Sequence, residues 1–376
     1  MAGLGATLAK LVQRNAAVAA KAAASGAPDF SDRLAEFGDA AINPGNLRAR
    51  AFVPADLPPR SALVVVLHGC TQTASGYDRG SGWSQLAAEQ GFAVLYPEQE
   101  RSNNPNLCFN WFSPVDQQRG SGEAESIRRM IAAMVEAHGI DERRIFITGL
   151  SAGGAMASIM LANYPEVFAG GAVIAGLPFG NAASVADALA RMRGDGYPAP
   201  AALVAQVRNA AKHDGPWPVV SVWQGKADTV VDPSNADRIA GQWRGVHGVA
   251  GQIPETDRID GSNRQRWRDA NGRIVVETWL IDGMGHGTPL ATRGSDACGI
   301  SGPHMLEAGI SSTRHIARGW GLLPVGEVAR VQAPAARVQA PAARASAPEA
   351  NAAQRPASNA VGSVIEDALR AAGLMR

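Results

Sequence analysis

Apolar residues along this chain fall into two alternating patterns. Continuous runs near 48–53, 62–67, 92–96, 144–148, 171–175, 218–223 and 274–281 are short and rich in β-branched residues. Runs of that length and composition predict strands buried on both faces. Between them, residues 122–138 place Ile127, Met130, Ile131, Met134 and Val135 at helical spacing. Strands alternating with helices imply an α/β domain, with a mostly parallel central sheet covered on both faces. Residues 181–213 interrupt the alternation with two alanine-rich helical stretches around 194–200. An insertion there is expected to form a small cap on the substrate side. The pattern divides the chain into a helical extension (1–30), the α/β domain (31–325), an Ala/Pro-rich linker (326–360) and an amphipathic terminal helix (361–376). The linker repeats VQAPAAR at 331–337 and 338–344, a composition that cannot bury a core.

The segment with the most chemical content is Gly149-Leu150-Ser151-Ala152-Gly153, between the run at 145–148 and a helix-compatible stretch. G-x-S-x-G in a strand-to-helix context is a nucleophile elbow: the glycines permit a tight turn, and the serine is held exposed in a strained conformation. A serine hydroxyl is inert at neutral pH, so it needs a base, an acid to orient the base, and amides for the developing oxyanion. In the α/β-hydrolase fold the partners follow in the order Ser, Asp or Glu, His. Asp228 lies in the loop leaving the run at 218–223, and His286 lies between glycines after the run at 274–281. Asp232 and Asp282 are rivals for the acid, with helix capping and a structural role as their alternatives. His138, His213 and His247 fall at a helix end or in polar loops, and His304 and His315 are assigned to the final helical segment. The oxyanion donors are expected to be the amides of Ala152 and of Cys70, which follows His68-Gly69 after the third strand. His68 reads as a structural support of that loop. An apolar, aromatic substrate wall is expected from Trp83, Trp111 and Phe112.

Six blocks occur in order: LHGCTQTA (67–74), YPEQ (96–99), CFNWF (108–112), GLSAGGAM (149–156), YPEVFAG (164–170) and AGLPFG (175–180). Together they resemble the poly(3-hydroxybutyrate) depolymerase-type esterases, a group similar to the catalytic domain of short-chain polyhydroxyalkanoate depolymerases. The group is related to feruloyl and acetylxylan esterases. The resemblance covers residues 40–322 and implies a nucleophile at Ser151, an acid at Asp228, a base at His286 and an oxyanion amide at Cys70. The substrate it implies is poly(3-hydroxybutyrate) or its oligomers, with carbohydrate esters of the feruloyl or acetylxylan type as the alternative. No cofactor or metal is expected. A second alternative, from another class, is a granule-surface binding protein anchored by its terminal helices, with incidental esterase activity.

Composition narrows the field. The chain has 376 residues, is 46% hydrophobic and carries a net charge of +1, which suits a large core and gives no electrostatic footprint for nucleic acid. No apolar run approaches the roughly 20 residues of a membrane span. Three cysteines do not make a disulfide scaffold, although a Cys70–Cys108 bridge would pin the oxyanion loop to the CFNWF segment and leave Cys298 spare. In the alanine-rich N-terminus, Gln13, Arg14 and Asn15 interrupt the place of a signal-peptide apolar core, while Leu4, Leu8 and Val12 suggest an amphipathic helix. A cytoplasmic enzyme, free or granule-associated, is therefore expected, with Cys70 and Cys108 as thiols and secretion as the alternative.

Overall fold

The computed structural model describes residues 32–38 and 43–323. The expected N-terminal helix, the linker and the terminal helix lie outside the described residues. Ten strands form one sheet: β1 (Ala35–Glu36), β2 (Arg48–Phe52), β3 (Leu63–Leu67), β4 (Ala93–Glu98), β5 (Ile145–Leu150), β6 (Gly170–Ile174), β7 (Val219–Gly225), β8 (Glu255–Ile259), β9 (Ser262–Arg268) and β10 (Ile274–Ile281). Their order is β1-β2-β4-β3-β5-β6-β7-β10-β9-β8. The central strands β4 to β10 run parallel, and antiparallel pairs flank them on both sides. Two short strands, β11 (Thr288–Leu290) and β12 (Met305–Glu307), pair separately.

β3 shows why both faces are covered. Leu63, Val65 and Leu67 enter one apolar cluster and Val64 and Val66 the other, as alternation along a strand requires. On the first face lie α3 (Gly122–His138), α4 (Ala152–Asn163) and α7 (Ser234–Val246), contributing Ile127, Ile131, Met156, Ile239 and Trp243. On the second lie α1 (Ala74–Ser81), α2 (Trp83–Gln90) and α8 (Ser312–Gly319), beside stacked Trp223 and Trp279, 4.5 Å apart. α4 is buried along its whole length, which suits its run of small and apolar residues without a polar face.

The seven expected strands form, and α3 spans the expected 122–138. The insertion contains α5 (Val185–Met192) and α6 (Pro200–Ala211), but α6 is part of the helical layer, with Leu203, Val207 and Ala211 buried. Gln242 of α7 donates to the Leu203 carbonyl. The β8–β9 hairpin is absent from the hydrophobic reading because its residues are polar. It is held by cross-strand pairs such as Arg264–Asp257 and Arg268–Glu255, a charged edge that discourages further strand addition. No helix among the described residues is long and apolar enough to cross a membrane.

Candidate active site

The elbow forms where β5 meets α4. Ser151 sits there with φ 57° and ψ −118°, a conformation costly for any residue but glycine. The flanking glycines are a packing requirement. A Cβ on Gly149 would lie 2.3 Å from the Gly153 carbonyl oxygen, and one on Gly153 only 2.4 Å from that of Leu67. Gly153 thus lets the start of α4 close onto the end of β3, beside the loop that follows it.

β7 and β10 are parallel neighbours, in register through Gly225 and Ile281, so the loops leaving them run side by side. Lys226 N–H donates to Ile281 O and Ala227 N–H to Met284 O, both at 2.9 Å. Gly225 has no room for a Cβ, which would fall 2.3 Å from Met284 O. This closeness sets Asp228 against His286. Asp228 Oδ1 accepts from the amides of Val230 and Val231, and Oδ2 from Gln224 Nε2 and from His286 Nδ1–H at 2.8 Å. The carboxylate is buried with both oxygens satisfied, and His286 Nε2 remains outside this bond. The rivals are otherwise engaged. Asp232 accepts from Ser234 N–H at the start of α7, and Asp282 is an exposed partner of Lys226 and Arg258.

The loop after β3 is tied at several points. Gly69 N–H donates to Gln72 Oε1, and Thr71 N–H to Asn106 O at 2.7 Å. Cys70 and Cys108 form a disulfide, so the pair expected as thiols is a crosslink. His68 is buried against Phe109, donating from Nδ1 to Gly69 O and accepting at Nε2 from Gln99 N–H. Burial pushes its pKa down to about 4, so the ring is neutral and supports the loop as expected. Neither Cys70 N–H nor Ala152 N–H donates to a protein acceptor among the described residues. Two amides with no internal partner are what an oxyanion would require.

Several family blocks converge on one buried carboxyl. Glu123 Oε1 accepts from Gln99 Nε2 and Asn110 Nδ2, and Oε2 from Asn110 N–H. Gln99 also donates to Cys108 O. This network orients the segment carrying Trp111 and Phe112, whose rings meet edge to face at 5.7 Å. Trp83 has no such place. It is 1% exposed, stacked on Trp320 and edge-on to Phe92 in the core, so its size serves packing and it lines no substrate wall.

His304 departs from the expected final helix. It lies in a turn before β12, not on a helix, and its ring stands 5.8 Å from that of His286. The missed signal is Gly302-Pro303, a turn marker directly before it. A cleft of about 580 Å³ lined by Arg119, Asn163, Asn181 and Lys212 contains none of Ser151, Asp228 and His286. Asn163 ends α4, about 18 Å along the helix axis from the elbow, so this cleft lies apart from the candidate site.

Fold and site together define an α/β-hydrolase. Residues 49–265 match the family described as Esterase PHB depolymerase. The chain is 41% identical over 292 residues to poly(3-hydroxyalkanoate) depolymerase C of Paucimonas lemoignei, covering 77% of this chain and 70% of that protein. It is 30% identical over 263 residues to acetylxylan esterase A of Aspergillus oryzae, covering 68% of this chain and 83% of that one. Among solved structures, an acetyl xylan esterase from Aspergillus awamori shares the fold, with a TM-score of 0.65, 24% identity, and coverage of 77% of this chain and 99% of that one. The chain belongs to the PHB depolymerase esterase family and is a carboxylic ester hydrolase.

Proposed function

We propose that the enzyme hydrolyses ester bonds of poly(3-hydroxybutyrate) or its oligomers through an acyl-enzyme on Ser151. His286 takes the Ser151 proton as the hydroxyl attacks the ester carbonyl, and Asp228 holds the imidazole in the tautomer that frees Nε2. The amides of Cys70 and Ala152 receive the oxyanion. His286 then returns the proton to the leaving alcohol, and water resolves the acyl-enzyme by the same path. The observation that carries this reading is the 2.8 Å bond from His286 Nδ1 to buried Asp228, on loops leaving the same edge of the sheet as the Ser151 elbow. Trp111 and Phe112 are proposed as the apolar wall, since the Cys108 bridge ties their segment to the oxyanion loop.

The polyester is favoured by the 41% identity to a polyhydroxyalkanoate depolymerase, against 30% to the acetylxylan esterases. Product release from amorphous poly(3-hydroxybutyrate), methyl ferulate and acetylated xylan tests it, with wild type and Ser151→Ala compared. Release of 3-hydroxybutyrate or its oligomers by wild type alone is expected. Activity confined to the carbohydrate esters would keep the mechanism and overturn the substrate.

The Cys70–Cys108 bridge also supports an oxidising compartment, the secreted alternative, over the cytoplasm. Alkylating thiols in intact producing cells checks this. Protection of both residues is expected, and modification of both would restore the cytoplasmic assignment.

A further inference from the structure

We infer that His304 is a positioning residue for the base, holding the main chain of His286 through its side chain; this rests on the reading of His286 as the base. Residues 302–305 form a tight turn in which Gly302 and Met305 exchange both backbone hydrogen bonds at 3.0 Å. Pro303 holds the second position, and His304 the third at φ 59°. Proline followed by a positive φ is the type II pattern, whose third position favours glycine or asparagine. A histidine there works against the backbone, so its side chain is the feature to explain.

That side chain donates from Nδ1 to the carbonyl oxygen of His286 at 3.2 Å, and its ring stands edge-on to the His286 imidazole at 78°. The main chain of residue 304 grips the other side of the same loop. His304 O accepts from Thr288 N–H at 2.8 Å, and a Cβ on Gly287 would fall 2.7 Å from it. Any residue at 304 could make the main-chain contacts. The bond to residue 286 comes from the side chain. Asp228 holds the His286 ring at Nδ1, and His304 holds the main-chain carbonyl of the same residue. Fixing the carbonyl of residue 286 fixes the stretch of main chain from which the ring reaches Asp228, and so sets where Nε2 lies.

The test measures kcat, KM and Tm on a soluble short-chain ester for wild type, His304→Gly, His304→Asn, His304→Ala and His286→Ala. Glycine adopts the positive φ without strain, so His304→Gly is expected to keep or raise Tm while kcat falls about fivefold and KM holds, the effect of one lost hydrogen bond. Asparagine tolerates the conformation and places its amide nitrogen where Nδ1 stood, so His304→Asn is expected to recover most of kcat. His304→Ala keeps the test decisive should the glycine variant fold poorly, with kcat reduced as in His304→Gly. Wild-type kcat in the folded glycine or alanine variant would overturn the inference, as would a rise in KM alone or no recovery with asparagine. His286→Ala separates the two claims. Undiminished turnover there would remove the base assignment itself, whereas an inactive His286→Ala beside a fully active His304→Gly would remove only the positioning role.

Discussion

At the scale of single residues, this site is built from positions where a larger or differently shaped group would collide. Gly149, Gly153 and Gly225 each lie where a Cβ would sit within 2.4 Å of a carbonyl oxygen. Each collision joins two segments of the candidate site: Gly149 and Gly153 fold the elbow back on β5 and β3, and Gly225 brings the Asp228 and His286 loops together. Ser151 and His304 carry the opposite signature, side chains retained at positive φ where glycine would be cheaper. For Ser151 the position places the side chain at the turn between β5 and α4, and for His304 it gives the bond to His286. Asp228 is distinguished from Asp232 and Asp282 by contact rather than by type. Its four donors include His286, whereas Asp232 caps a helix start and Asp282 pairs with surface cations.

At the scale of elements, the YPEQ and CFNWF blocks and the start of α3 act as one support for the loop after β3. Gln99 lies just after β4, Asn110 lies in the aromatic loop, and Glu123 opens α3; their side chains meet at a carboxyl that is wholly buried. Burial raises the Glu123 pKa from its usual value of 4.5 to about 8, against the opposing pull of the Gln99 and Asn110 donors. The sign of the consequence follows from linkage. The folded state retains a proton that the unfolded chain loses first. Glu123 therefore favours the fold fully below pH 4.5, and this contribution is lost as pH rises towards 8. Over that window it amounts to up to about 5 kcal/mol. Urea unfolding of wild type should show this decline, and Glu123→Gln should flatten it. Equal slopes in the two proteins would contradict the assignment of the proton to Glu123.

At the scale of the whole molecule, the sheet and the elbow turn at Ser151 were legible in the sequence because they leave strong local signals. Val64, Val65 and Val66 could be placed in a buried strand from their neighbours alone, and Ser151 in a strand-to-helix turn by its glycines. The charged β8–β9 hairpin left no such signal, because its pairing is cross-strand and its apolar content is low. Trp83 misled because a tryptophan near a site in sequence can face the other layer of the fold. The turn at Gly302-Pro303 could have placed His304 off a helix, but its contact with His286 depends on β11 and β12 pairing, which residue spacing does not reveal. The chain thus states its chemistry locally and its supports only through tertiary contact. The identity of the acylated atom tests the proposed mechanism most directly. Rapid acid quench during turnover of a 3-hydroxybutyrate oligomer, followed by peptide mapping, would locate the covalent intermediate. An acyl group on Ser151 is the predicted result, absent in Ser151→Ala. An acyl group on another residue, or continued turnover by Ser151→Ala, would contradict the mechanism.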